Sequence, residues 1–138
     1  MARDTQGNLI STASCPIPNC GDAEEAEALA AMFGVRTLSG LGHEKIILEM
    51  ECAAVAAALK APGHDRSNNW STVDETKRLL KNTTETRIIQ VRKESNRAAD
   101  ALAKLARSAG SCIWTTLPPD VVVDYVTVDT VASVTSLI

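Results

Sequence analysis

One segment narrows the possible folds more than any other. Val91 to Ala106, reading VRKESNRAADALAKLA, joins a strand to a helix through a basic turn and sets a carboxylate just inside the helix. Asn96 or Ser95 can cap that helix, while Ala98, Ala101, Leu102, Leu105 and Ala109 recur at helical spacing on one side and Arg97 and Lys104 keep another side wet. Asp100 falls at the rim between the two sides. Two readings are open for it: a metal ligand on a rigid element facing a polyanion, or a first-turn acid that favours the helix dipole.

Two upstream segments have related chemistry. Asp22 to Val35 begins with Asp22, Glu24, Glu25 and Glu27 and runs into Ala and Leu, the pattern of a helix with carboxylates in its first turns. Lys45 to Val55 is an apolar strand that ends in Glu49 and Glu51 and passes at once into an Ala-rich helix. Open α/β sheets place their sites where strands end and helices begin. Glu24 and Glu25 are equally consistent with a solvated helix start, and Glu49 with an exposed strand position between Leu48 and Met50.

Punctuation by Gly, Pro and polar clusters divides the rest. It gives a strand at 8–14, a loop at 15–21, a helix at 22–39 before Gly40 and Gly42, a strand at 45–50 and a helix at 51–60 stopped by Pro62 and Gly63. A polar loop at 62–69, a helix at 70–81, a strand at 86–91 and a helix at 96–108 follow. The chain then reads as one domain over 1–110 and a tail over 111–138. In the tail, Pro118, Pro119 and Asp120 make a helix start for Val121, Val122, Tyr125 and Val128, whereas the β-branched run from Val121 to Thr135 suits a strand; the start signal favours helix.

In order, these segments resemble the ribonuclease H fold, specifically the reverse-transcriptase-like ribonuclease H domains abundant in plant genomes. Arg3-Asp4-Thr5-Gln6-Gly7 is similar to the family's RD-x-x-G hairpin turn. EAEALA at 25–30, IILEMEC at 46–52, DRS at 65–67 and VRKESNRAADALAKLAR at 91–107 follow in family order, with Trp114 and Leu117-Pro118-Pro119 in the usual trailing segment. The last helix motif is the most specific, because it fixes a turn, a cap and an acid in one order.

The resemblance implies an α/β, three-layer fold with a mixed sheet, and an endonuclease that hydrolyses the RNA strand of an RNA–DNA hybrid. Two magnesium ions about 3.5–4 Å apart would clamp the attacking water and the leaving oxygen, which calls for hard carboxylate ligands. Carried over position by position, Glu27 matches the helix glutamate and Asp100 the final aspartate, while Glu51 stands where the family has aspartate. These three are the expected catalytic and metal-binding residues. The family's first aspartate belongs to an opening strand upstream of the hairpin, so the sequence is expected to lack the opening strands and to be incomplete at its N-terminus. Glu51 adds a methylene to a site that demands near-octahedral geometry. Gln90 stands where the family often has a mobile histidine, and His43 and His64 read as loop residues. Hydrolysis is therefore expected to be impaired, the alternative being a non-catalytic nucleic-acid-binding remnant or an interaction fragment. Without its opening strand the sheet is expected to split, leaving 8–13 as an edge fragment and exposed edges open to self-association.

Composition agrees with one small domain: 138 residues, 45% hydrophobic but only 3% aromatic, so the core must be built from Ala, Val, Leu and Ile. Cys15, Cys20, Cys52 and Cys112 form no C-x-x-C pair, which makes reduced thiols and a cytoplasmic or nuclear location the expectation. The valine-rich tail carries Asp120, Asp124 and Asp129, which argues against a membrane span. Charge is uneven, with a balance of −6 over residues 1–76, +6 over 77–107 and −3 in the tail. A basic segment in an acidic protein suits phosphate contacts, and Arg92, Lys93, Asn96 and Arg97, beside Asp100, are the expected nucleic-acid-binding residues. Lys77, Lys81 and Lys104 read as solvated helix faces. Binding would use the wide minor groove and its 2′-hydroxyls, without reading base sequence.

Overall fold

A computed structural model of the chain describes residues 2–4, 6, 9–14, 20–109, 112–114 and 134–136. Its first helix, α1 (Ala23–Gly40), shows why the acid-rich start is helical. The Asp22 carboxylate accepts the Glu25 N–H at 2.8 Å, Glu25 reaches back to the Gly21 N–H at 2.7 Å, and Glu24 and Glu25 meet the positive end of the helix dipole. Ala28, Ala31, Val35 and Leu38 form its buried stripe. The helix stops in a Schellman motif: the Gly42 N–H donates to Ser39 C=O and the His43 N–H to Leu38 C=O, both at 3.0 Å, with Gly42 at φ 83°.

Among the described residues, six strands make one mixed sheet: β1 (Ala2–Arg3), β2 (Leu9–Ser14), β3 (Lys45–Met50), β4 (Glu85–Gln90), β5 (Cys112–Trp114) and β6 (Val134–Ser136), in the spatial order β4-β3-β6-β1-β2-β5. The period-2 pattern of β3 buries Ile46, Leu48 and Met50 and leaves Lys45 exposed. β4 pairs parallel to β3 in register over all six residues. The parallel pair needs a covering layer, and it gets one from α1, α2 (Ala53–Lys60) and α3 (Trp70–Leu80). Leu48 and Met50 join Ala28, Ala31, Val35, Val55, Ala56, Leu59 and Val73 in the main core, to which each large aliphatic side chain contributes roughly 1.5–3 kcal/mol. A small second cluster joins Ala2, Leu38 and Ile46. α4 (Arg97–Ala109) buries Ala98 and Leu102 and packs on β2.

Three expectations change. Helix α2 begins at Ala53 with Cys52 as its N-cap, so Glu51 lies in the junction after β3 and not in the helix. The sheet does not split, because β6 fills the gap: it runs parallel to β1, pairing Ala2 with Val134 and Arg3 with Thr135, and antiparallel to β3, pairing Ile46 with Ser136 and Ile47 with Thr135. Nor is 8–13 an edge fragment, since β2 lies between β1 and β5. The backbone groups that a gap would have left without partners thus find them in β6, which comes from the tail. The helix expected over residues 118–128 lies outside the described residues. Among those described, no helix is long and apolar enough to cross a membrane.

Candidate carboxylate site and nucleic-acid interface

Glu27 lies in the second turn of α1, beside the C-terminal end of β3. Its Oε1 accepts the backbone N–H of Glu51 at 2.8 Å. The Glu51 carboxylate in turn accepts an amide N–H from Asn96 Nδ2 at 2.7 Å, across 45 residues of sequence, and the Glu51 C=O accepts from Gln90 Nε2 at 3.3 Å. Beyond β4, the Val91 N–H reaches Met50 C=O at 2.8 Å and extends the ladder toward the basic turn.

Asp100 occupies the first turn of α4, its N–H bonded to Asn96 C=O at 3.0 Å. Its carboxylate is half-buried and pairs with Lys104 Nζ at 2.8 Å, one helical turn on. Glu27, Glu51 and Asn96 are thus linked in one chain of contacts, and Asp100 is one turn along the helix that Asn96 begins. Each of the three acids, however, is engaged by a different protein donor.

That donor set does not fit a pair of magnesium ions. Two such ions about 3.5–4 Å apart need carboxylate oxygens aimed into one shared space, with ligand distances near 2.0–2.1 Å. Here one oxygen each of Glu27 and Glu51 accepts an N–H, and one of Asp100 meets an ammonium, so the three acids are held by separate donors rather than turned to one ion site. Among the described residues, no three His, Cys, Asp or Glu side chains are grouped so as to hold a metal ion.

The basic turn is a single turn of 3-10 helix, Lys93–Ser95, that leads into α4. Arg92, Lys93 and Arg97 are exposed, and Asn96 is half-buried behind them. Among the described residues none of the three cations forms an ion pair with a carboxylate.

A second polar network holds the loop before α3. Asp74 accepts the Asp65 N–H and contacts His64 Nδ1, both at 2.9 Å; the Asp65 bond first, and His64 second, hold its carboxyl below the ordinary value. Asp65 accepts from the Ser67 hydroxyl, and Asn69 Nδ2 reaches Glu24 Oε1 at 3.4 Å. Asp65 and Ser67 of the DRS motif thus brace the loop against α3, and Asn69 ties it to the start of α1. Lys77 is more than a solvated residue, since its Nζ donates to Ala61 C=O and Gly63 C=O at 2.9 and 3.0 Å. Cys20 and Cys52 are free thiols, while the side chains of Cys15 and Cys112 lie outside the description.

Sequence reasoning names the three acids but not what engages them. The Asp100–Lys104 pair was legible in its i,i+4 spacing. Asn96 could be read as a helix cap or a nucleic-acid contact, but nothing local marks Glu51 as its partner.

Comparison with known proteins bears on the same elements. The sequence model of a family described as reverse transcriptase-like matches residues 1–106. Among solved structures, the fold is similar to the crystal structure of RNase H1 from the halophilic archaeon Halobacterium salinarum NRC-1, with a TM-score of 0.56 and 22% sequence identity over 61% of this chain and 64% of that one. The chain thus spans just under two thirds of that protein's length. No curated protein matches the sequence significantly.

Proposed function

Because the chain belongs to the reverse transcriptase-like family and has a ribonuclease H-like fold, we propose that it binds RNA–DNA hybrid or a related duplex while its two-metal hydrolysis of the RNA strand is impaired. The observation that carries this reading is the pairing at the carboxylate end. Glu27 is tied to the Glu51 N–H and Glu51 to Asn96, while Arg92, Lys93 and Arg97 stand exposed beside them. No three acids among the described residues are grouped where a pair of magnesium ions would need them. Binding needs no such grouping, because phosphate attraction acts on the exposed cations as they stand. The wide minor groove of an A-like duplex offers 2′-hydroxyls to Asn96 and phosphates to the arginines and Lys93, so recognition rests on shape and charge rather than on base edges. Cytoplasm or nucleus, where thiols such as Cys20 and Cys52 stay reduced, suits this role.

Titration of a labelled hybrid against salt, with and without Mg²⁺, tests both halves of the reading. The expected result is saturable binding with a log–log salt slope of roughly −2 to −3 for three phosphate contacts, and no cleavage. Magnesium-dependent cleavage abolished by Asp100→Asn would refute the impairment, and salt-independent or absent binding would refute the interface.

A further inference from the structure

The link from α4 to the end of β3 runs through a group that sequence alone assigns to catalysis. Glu27 Oε1 accepts the Glu51 N–H, and Glu51 Oε1 accepts the Asn96 amide N–H, at 2.8 and 2.7 Å across separations of 24 and 45 residues. Three elements that meet nowhere in sequence are joined by two short polar contacts: α1, the β3–α2 junction and the cap of α4. An ionised carboxylate only accepts, so the Asn96 amide must present its N–H₂ side, and the bond is charge-assisted.

We propose that Asn96 is a positioning residue: by holding the Glu51 carboxylate, which Glu27 anchors through the Glu51 backbone, it forms a metal-independent clasp that sets the angle of the basic turn against α1 and β3. This deepens the binding reading above and rests on it. Arg92 and Lys93 lie four and three residues before Asn96, joined to it by the single 3-10 turn, and Arg97 immediately follows it. A rotation of the cap therefore moves all three cations together. The remainder of α4 packs on β2, three strands away from β3 in the sheet, so the clasp works at the point where the basic turn crosses from one part of the sheet to the other. Glu51 suits this task better than an aspartate would, because the added methylene extends its reach toward Asn96.

The chemistry separates the clasp from a metal role. Gln at position 51 keeps an acceptor oxygen at the same reach and loses the charge, whereas Ala loses both. The test is a double-mutant cycle on the full chain with Glu51→Ala, Asn96→Ala and the pair, beside Glu51→Gln. Thermal midpoint, hybrid affinity at fixed salt without Mg²⁺ and the Asn96 side-chain N–H₂ resonances are read for each. The expected result is that either alanine variant lowers the midpoint and weakens hybrid binding by roughly threefold or more, and that the double variant is no worse than the poorer single one. Glu51→Gln recovers most of what Glu51→Ala loses, in affinity as in midpoint. The Asn96 resonances are displaced in wild type and in Glu51→Gln, and return to free-amide positions in Glu51→Ala. Additive losses, or a Gln variant as poor as the Ala variant, would overturn the clasp. Non-additive midpoints in a wild-type chain that binds no hybrid would sustain the clasp and overturn the binding reading alone.

Discussion

The two ends of the sheet are built differently. On one side β3 and β4 pair over six residues each and lie under α1, α2 and α3, with Leu48, Met50, Val35, Val55 and Val73 in a shared core. On the other side β1 is two residues long, β5 and β6 are three each, and the junction with β3 consists of two paired positions in β6. Among the described residues, side chains of the first region share a core, whereas the described contacts of the second include the pairing of its strands with their neighbours. The candidate site lies across both, with Glu27 and Glu51 on the strong side and Asn96, Asp100 and the basic turn on the α4 side. Binding is therefore expected to depend on contacts that bridge the two regions as well as on the residues that face the ligand.

The largest effect should come from the strong side. Leu48 is 2% exposed at the centre of the main core, so Leu48→Ala is expected to cost about 2–5 kcal/mol in denaturant unfolding. Ile89 on the outer strand β4 is 40% exposed, and Ile89→Ala should stay within about 0.5 kcal/mol. Equal costs at the two positions would break the contrast between core and edge. The next test is at the junction. Thr135→Pro removes a backbone N–H from β6, and hydrogen exchange should then accelerate at the β1 and β2 amides while the amides of the β3–β4 ladder keep their protection. Uniform loss of protection would mean that the sheet opens as one unit.

How far the sequence discloses this arrangement follows the same division. Where a signal is local it was legible: the acid-rich first turns of α1, the alternation of β3 and the apolar face of α4 place those elements within two residues of their observed bounds. Continuity of the sheet was not legible, because β6 and β3 are about 90 residues apart and a three-residue strand leaves almost no periodicity to read. The site shows the same limit. Glu27, Glu51 and Asp100 could be picked out by motif, but whether each faces a cation or a protein donor depends on contacts such as Asn96 to Glu51 that no local pattern encodes. The start of α2 is a smaller case. Ala-rich sequence propagates a helix readily but gives no cap, and Cys52 makes no side-chain cap bond, so nothing in the residues marks the start at Ala53.

Two smaller perturbations sharpen the picture of the strong side. Gly42 closes α1 at positive φ with nothing near a built Cβ, so Gly42→Ala meets no steric barrier and should cost only the left-handed backbone penalty, about 1 kcal/mol, read as a modest drop in thermal midpoint.

The smallest effect is in the loop brace before α3, and its sign follows from Asp74. The Asp65 N–H, then His64, hold the folded-state carboxyl below its ordinary value, so the contribution is complete above the unfolded-state pKa and is lost as pH falls through the lower folded value. Thermal midpoints of wild type should therefore decline on the acid side, and Asp74→Asn should flatten part of that decline while lowering the midpoint at neutral pH. Asp74 is half-buried in the second turn of α3 but its partner His64 is almost wholly exposed, where water screens the contact, so the difference should be small and should shrink further in added salt only to the extent that His64 is charged. An Asp74→Asn profile parallel to wild type at every pH would mean that the brace acts through geometry alone, and that the acid sensitivity of the strong side has its source elsewhere.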